Sequence, residues 1–293
     1  MSDKLFSIIL PVYDDQENLN RILEEFKASN PDDSWEIVVV DDGSPTALEL
    51  PTNVPENWSI HRHVTREGAA RARNTGANLA RGENLIFLSV FLRIPENYIY
   101  QMRTFVQSRT FDTAQHLLVK TPGAQIDHFQ SFLVDHTERL NNDAYLSIKN
   151  TQFAAAVIKR DTFLSVDGFD EGMNHYGGHE LDLAYRLQKQ GYSRRIVISD
   201  LSLERVNIET HDKVRSRLQE YGNVGLPALL KKHPELKKTI LVYPAIWWLL
   251  KVLGVSKAFE KRYKERIEQN VKLPTRQYRQ YLHLIVRNTW DAR

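Results

Sequence analysis

Residues Phe6–Val12 (FSIILPV) are apolar at nearly every position, the pattern of a strand buried on both faces. The period then changes. Leu19, Ile22, Leu23 and Phe26 recur at the spacing of one helix face, and Asp14 or Asp15 stands where an N-cap is needed. The β-branched run Glu36–Val40 (EIVVV) predicts a second, parallel strand, so residues 6–40 read as a βαβ crossover with Asp41-Asp42-Gly43-Ser44 at its carboxyl end. Residues 51–58 read as loop. Gly68–Gly82 (GAARARNTGANLARG) reads as a small-residue helix ended by Gly82, followed by the strand Leu85–Leu88 (LIFL). Pro95 is expected to open a helix with Ile99, Met102, Phe105 and Val106 on one face. Phe153–Arg160 and Arg195–Ser199 predict two further strands. Between them, a glycine-rich turn leads into a helix from about Glu180 that Gly191 ends. Beyond about Asp212 the pattern is helical and basic.

The 293 residues, 42% of them hydrophobic, can bury a large core. There is no cysteine, which excludes disulfides, thiol nucleophiles and zinc–thiolate sites and fits a reducing cytosol. The first apolar stretch is short and runs into acids, so it is not expected to be a signal peptide. Net charge is +2, but residues 231–293 carry 15 Lys/Arg against 5 Asp/Glu, while the other 230 carry 24 against 32. An acidic body and a basic tail imply that the tail meets something anionic, either a membrane surface or a polyanion.

Several short motifs follow one another: PVYD at 11–14, VVDDGS at 39–44, GAARARN at 68–74, the strand LIFL, DGFDE at 167–171 and GGHELDLAYRL at 177–187. In this order, over residues 5–215, the chain resembles the family 2 nucleotide-sugar glycosyltransferases of the A-type fold. The resemblance implies an α/β, Rossmann-like, mainly parallel sheet flanked by helices. It sets a transferase domain at 1–215 (donor half 1–110, acceptor half 111–215) and a basic helical extension at 216–293.

The donor implied is a nucleotide-sugar, UDP-linked or similarly activated, with Val12, Tyr13, Asp42, Arg73 and Ser89 on its side. Tyr13 would stack on the base and Asp42 would accept a hydrogen bond from it; an aromatic face plus a carboxylate makes a directional base site. Without the other motifs, Asp41-Asp42 would read as a capped strand-end turn. Arg73 would lie beside the nucleotide. Arg66, Arg71 and Arg73 share one short stretch whose guanidinium forks suit a pyrophosphate, or else solvate a helix face.

The resemblance places the general base of inverting transfer six residues before Arg186, at Glu180, where relatives more often carry Asp. Without the surrounding motif Glu180 would read as an ordinary first-turn helix acid. Asp182 reads as a residue supporting the site from behind, an acceptor contact or a surface acid. His179 reads as an acceptor or phosphate contact or a turn residue, and His211 as a phosphate contact or a surface histidine. The acidic pair that holds Mg²⁺ or Mn²⁺ in the family would follow LIFL, but Ser89 and Phe91 occupy those places and the next acid is Glu96. Two readings follow. In one, cationic side chains replace the metal in an active transferase acting on a glycan or glycoconjugate acceptor in polysaccharide synthesis. In the other, the chain is a catalytically silent homologue that binds or scaffolds.

Residues 239–255 are strongly apolar but interrupted by Pro244 and Lys251, too short for a secure bilayer span. With flanking lysines and Trp247-Trp248, they read as an interfacial helix at the inner membrane face, or as a helix buried on the domain or in a homodimer. The expected location is the cytoplasm, free or peripheral to the membrane. Nucleic acid is not an expected partner, because no binding module accompanies the basic tail.

Overall fold

The computed structural model describes residues 4–29, 32–119, 146–173, 175–206, 210–240, 253–269, 271 and 273–290. The chain separates into two compact units. The first holds Met1–Thr121, Glu138–Asn174 and Glu180–Asn207; the second holds Pro122–Thr137, His175–His179 and Ile208–Arg293.

The first unit is built on an eight-stranded sheet: β1 (Lys4–Val12), β2 (Trp35–Asp41), β3 (Trp58–Arg62), β4 (Gly82–Leu88), β5 (Leu92–Arg93), β6 (Thr113–Val119), β7 (Ala155–Lys159) and β8 (Arg195–Arg205), in the order β3-β2-β1-β4-β7-β6-β8-β5. Strands β3, β2, β1 and β4 are parallel neighbours, as the βαβ reading requires. Strand β7 then runs antiparallel to both β4 and β6, while β6 and β8 are parallel, so the sheet is mixed. Every residue of β2 is buried, which matches the unbroken apolar run of a strand covered on both faces.

Helix α1 (Gln16–Ala28) is capped by Asp15, whose carboxylate accepts from the Asn18 amide at 3.1 Å. Leu19, Ile22, Leu23 and Phe26 are its buried face. Phe26 packs on Trp35 and Tyr98 in the main core, and each such side chain contributes about 1.5–3 kcal/mol by leaving water. Helix α2 (Ala69–Leu79) stops at Ala80, not at Gly82 as the sequence suggests. Gly82 instead begins β4, where a Cβ would lie 2.4 Å from the Phe6 carbonyl carbon; its role is close strand approach. Helix α3 (Tyr98–Ser108) starts three residues after Pro95, with Asn97 at its N-cap. A one-turn helix α4 (Arg160–Leu164) follows β7, and helix α5 runs His179–Lys189.

The second unit contains α6 (His211–Glu220), a π-turn at Tyr221–Gly225, α7 (Leu226–Lys232), α8 (Val255–Glu268) and α9 (Thr275–Thr289). Its core joins Val214, Ile267, Leu273, Tyr278, Tyr281, Leu282 and Ile285. Residues 241–252, the heart of the apolar segment 239–255, lie outside the described residues. Among the described residues no helix is long and apolar enough to cross a membrane.

Candidate active site

The carboxyl ends of β1 and β2 form one wall of the site. Asp41 is fully buried; its Oδ1 accepts from the Ser44 amide at 2.9 Å and the Ser44 hydroxyl, and its Oδ2 from the Leu48 amide at 3.1 Å. Burial alone would raise its pKa. The Ser44 and Leu48 hydrogen bonds and the Arg62 charge outweigh burial and hold the carboxyl below its ordinary value. Asp41 thus folds the turn.

Asp42 is also buried. It receives His63 Nδ1 at 3.0 Å and the amides of Glu67 and Gly68 at 2.9 Å each, while its own amide donates to Val12 O at 2.8 Å. A carboxylate offers about four acceptor positions. Three are filled from the chain's own 63–68 loop, which leaves one for a ligand N–H. Gly43, at φ +72°, fits because a Cβ there would sit 2.3 Å from the Thr65 carbonyl carbon. The loop is therefore packed tightly against the DDGS turn. Tyr13 follows β1 with its ring partly exposed, and the Arg66 guanidinium lies over that ring at 4.1 Å from the centroid.

The second wall joins α2 to α5. Arg73 is 8% exposed and lies over the Phe169 ring, its Nη1 at 3.8 Å from Glu180 Oε1. Burial lowers its pKa and the Glu180 charge opposes that shift. The resemblance implies that Arg73 lies beside the nucleotide; in the fold it also faces the carboxylate of Glu180. Glu180 Oε1 also accepts from the Phe153 amide at 3.0 Å, so one oxygen is fixed from two directions. Arg71 is exposed and paired with Glu67 and, at 3.6 Å, with Glu171.

Asn74, which sequence reasoning did not single out, ties this wall together. Its side chain accepts from the Phe169 amide at 2.9 Å and donates to Phe169 O at 2.8 Å and Glu171 Oε1 at 3.0 Å. It joins the ARN helix to the DGFDE turn across 95 positions of sequence.

Asp182 is not a surface acid. It is fully buried and accepts from Arg186 Nε at 2.8 Å, with Nη2 at 2.7 Å. The same guanidinium donates to the carbonyls of Val166 and, at 2.6 Å, Gly168. Asp182 thereby orients the arginine that closes the turn before DGFDE.

The turn after β4 is organised without carboxylates at its tip. The Ser89 amide donates to Ala154 O at 2.9 Å, and its hydroxyl accepts weakly from the Phe91 amide at 3.3 Å. Phe91 packs against the main core. From α1, Arg21 holds the carbonyls of Val90 and Leu92, and Glu25 accepts from the Ile94 amide at 2.8 Å. Among the described residues no group of three or more His, Asp or Glu side chains could hold a metal ion. A packed phenyl ring and a single serine hydroxyl do not fit a hard divalent cation, which wants six or more oxygens.

His179 opens α5 but belongs to the second unit, as does His211. Within that unit the turn before His179 is seated on the π-turn. The Tyr176 amide donates to Glu220 Oε1 at 3.0 Å, Arg217 lies over the Tyr176 ring, and a Cβ on Gly177 would meet the Tyr221 ring at 2.6 Å. His211 is not a plain surface histidine either. Its Nε2 is 2.8 Å from Tyr281 Oη, with the two rings stacked at 5.4 Å.

A mixed α/β sheet with an acidic turn after its second strand, flanked by helices, has the architecture of an A-type glycosyltransferase fold. Solved structures share that fold. The mannosyltransferase PcManGT from Pyrobaculum calidifontis, in complex with GDP-Man and Mn2+, superposes with a TM-score of 0.63 at 17% identity, over 99% of this chain and 88% of that one. S. aureus TarS 1-349 in complex with UDP-GlcNAc gives 0.54 at 14% identity, over 97% and 90%.

The model of the family described as "Glycosyl transferase family 2" matches residues 7–163, and the chain belongs to that family. It is 22% identical, over 87% of its own length, to a validoxylamine A glucosyltransferase of Streptomyces hygroscopicus subsp. limoneus, and spans 61% of that protein. An uncharacterized glycosyltransferase of Haemophilus influenzae is 30% identical over 84 residues, which are 29% of this chain and 28% of that one.

Proposed function

We propose that the protein is an inverting glycosyltransferase that moves a sugar from a nucleotide-sugar donor to a hydroxyl of a glycan or glycoconjugate. The observation that carries this reading is the placement of Glu180. One carboxylate oxygen is anchored by the Phe153 amide and faces the buried Arg73 cation. That anchoring orients the second oxygen, for which no hydrogen bond occurs among the described residues. A base needs such an oxygen: it takes the acceptor proton as the acceptor oxygen bonds to the sugar anomeric carbon. The bond from that carbon to the phosphate oxygen breaks on the opposite face, and the nucleoside diphosphate leaves with the electron pair. Arg73 holds the anchored oxygen of Glu180 in place between turnovers.

Tyr13 and Asp42 support a nucleobase site, with one acceptor position on Asp42 left for a base N–H. Both UDP- and GDP-sugars are open as donors, since TarS was solved with UDP-GlcNAc and PcManGT with GDP-Man. No step passes through a divalent ion, because the post-β4 turn does not fit one. The basic C-terminal region supports contact with an anionic membrane surface from the cytoplasmic side. Vesicles rich in anionic lipid should carry the protein upward in flotation at low salt, and recovery only in the dense fraction would rule that contact out.

The apolar turn after β4 also favours a second reading, a homologue that binds donor without turnover. Nucleoside diphosphate release from UDP- and GDP-sugars in EDTA separates the two. Metal-independent release that Glu180→Gln abolishes supports transfer, while donor binding without release supports the silent homologue.

A further inference from the structure

Four arginines stand near the DDGS turn and on or just before α2, and three of them already face carboxylates. Arg62 pairs with Asp41 at 3.3 Å, Arg71 with Glu67 and Glu171, and Arg73 with Glu180. Arg66 is the exception. Among the described residues it forms no ion pair, is exposed, and rests on the exposed ring of Tyr13. Its backbone is held firmly nonetheless: Gly43 packs under the Thr65–Arg66 peptide, and Asp42 receives the two amides that follow. A fixed Cα carrying a long guanidinium with no carboxylate partner among the described residues is a cation with reach, whose backbone is already ordered.

The 4.1 Å separation leaves no room for a base between Arg66 and Tyr13, since an inserted ring needs two contacts of about 3.5 Å each. We propose that Arg66 is a nucleotide-exchanged latch. It covers Tyr13 while the site is empty, yields the ring to the nucleobase, and turns its guanidinium onto the diphosphate. It thereby supplies the charge that the post-β4 turn cannot obtain through a metal ion. The proposal rests on the donor-site reading of Tyr13 and Asp42, and it adds a diphosphate-specific residue that the ordered motifs do not mark.

The test is titration calorimetry in EDTA with uridine and UDP, and with guanosine and GDP, on wild type, Arg66→Ala and Arg66→Lys. The latch predicts that Arg66→Ala weakens the preferred diphosphate by about tenfold or more. Its nucleoside should bind equally well or more tightly, because no cover must be displaced, and Arg66→Lys should fall between. Arg66 is exposed, so the variants should share the wild-type circular dichroism spectrum and melting midpoint. Equal losses for nucleoside and diphosphate, or no loss for either, would overturn the latch while leaving the donor site standing. A wild type that binds none of the four compounds would overturn both.

Discussion

Replacing Asp182 with Ala should destabilise the first unit without first acting on substrate. The carboxylate is fully buried and its partner's side chain is 19% exposed, so the pair is largely removed from water. Breaking a buried pair from one side costs about 3–5 kcal/mol, because the remaining charge is left desolvated. Arg186 keeps two carbonyl acceptors and some solvent contact, which places the expected cost near the lower end, roughly 3 kcal/mol. For a unit of this size that corresponds to a drop of roughly 6–12 °C in the melting midpoint. Thermal unfolding followed by far-UV circular dichroism measures it. The double variant Asp182→Ala/Arg186→Met removes both charges and should recover a substantial part of the loss. If Asp182 instead met the acceptor from the surface, Asp182→Ala would melt with the wild type and raise only the acceptor KM. A midpoint within about 2 °C of wild type would refute the buried-clamp account.

Further predictions concern pH and the candidate site. His116 on β6 is buried, its Nδ1 3.1 Å from Ala155 O and its Nε2 3.2 Å from Tyr98 Oη. Burial pushes its pKa down from 6.5 to about 4, against the Ala155 hydrogen bond. The folded state therefore resists protonation that the unfolded chain accepts. The stabilising difference is fully present above pH 6.5 and is lost as pH falls toward 4, by roughly 3 kcal/mol in total. In His116→Gln this part of the slope should vanish in urea unfolding between pH 7 and 4.5; an unchanged slope would show that other groups carry it. The Arg66 variants test the latch, and flotation tests the anionic-surface contact, each as described above.

The elements legible in the sequence were those whose period is strong: β1, α1 and β2 need only the apolar run, the i, i+3, i+4, i+7 face and the β-branched run. Strand β3 was not legible, because WSIHR buries chiefly Trp58 and lies on the sheet edge, where no alternation is imposed. The antiparallel direction of β7 was likewise hidden, since the buried run Ala155–Ile158 is apolar whichever way it runs. The Asp41-Asp42 turn and Glu180 stood out because the motifs are contiguous. Asn74 did not, because the groups it holds are about 95 residues away and no local pattern points to them. Asp182 and Arg186 stand at i, i+4 and could be paired by inspection, but their burial depends on the 166–168 turn folding onto the helix. Arg66 was visible only as one of three arginines; its lack of a carboxylate partner is a property of the fold.

Glu180→Gln provides the most direct test of the central claim. Donor turnover is followed as nucleoside diphosphate release in EDTA, alongside calorimetric donor affinity. The variant is nearly isosteric and can still accept from the Phe153 amide, so the fold and donor affinity should stay at wild-type values. The account predicts a fall of about 10²-fold or more in kcat, the usual worth of a positioned base. Wild-type turnover in Glu180→Gln would contradict it, as would a wild-type protein that binds donor but never releases the diphosphate.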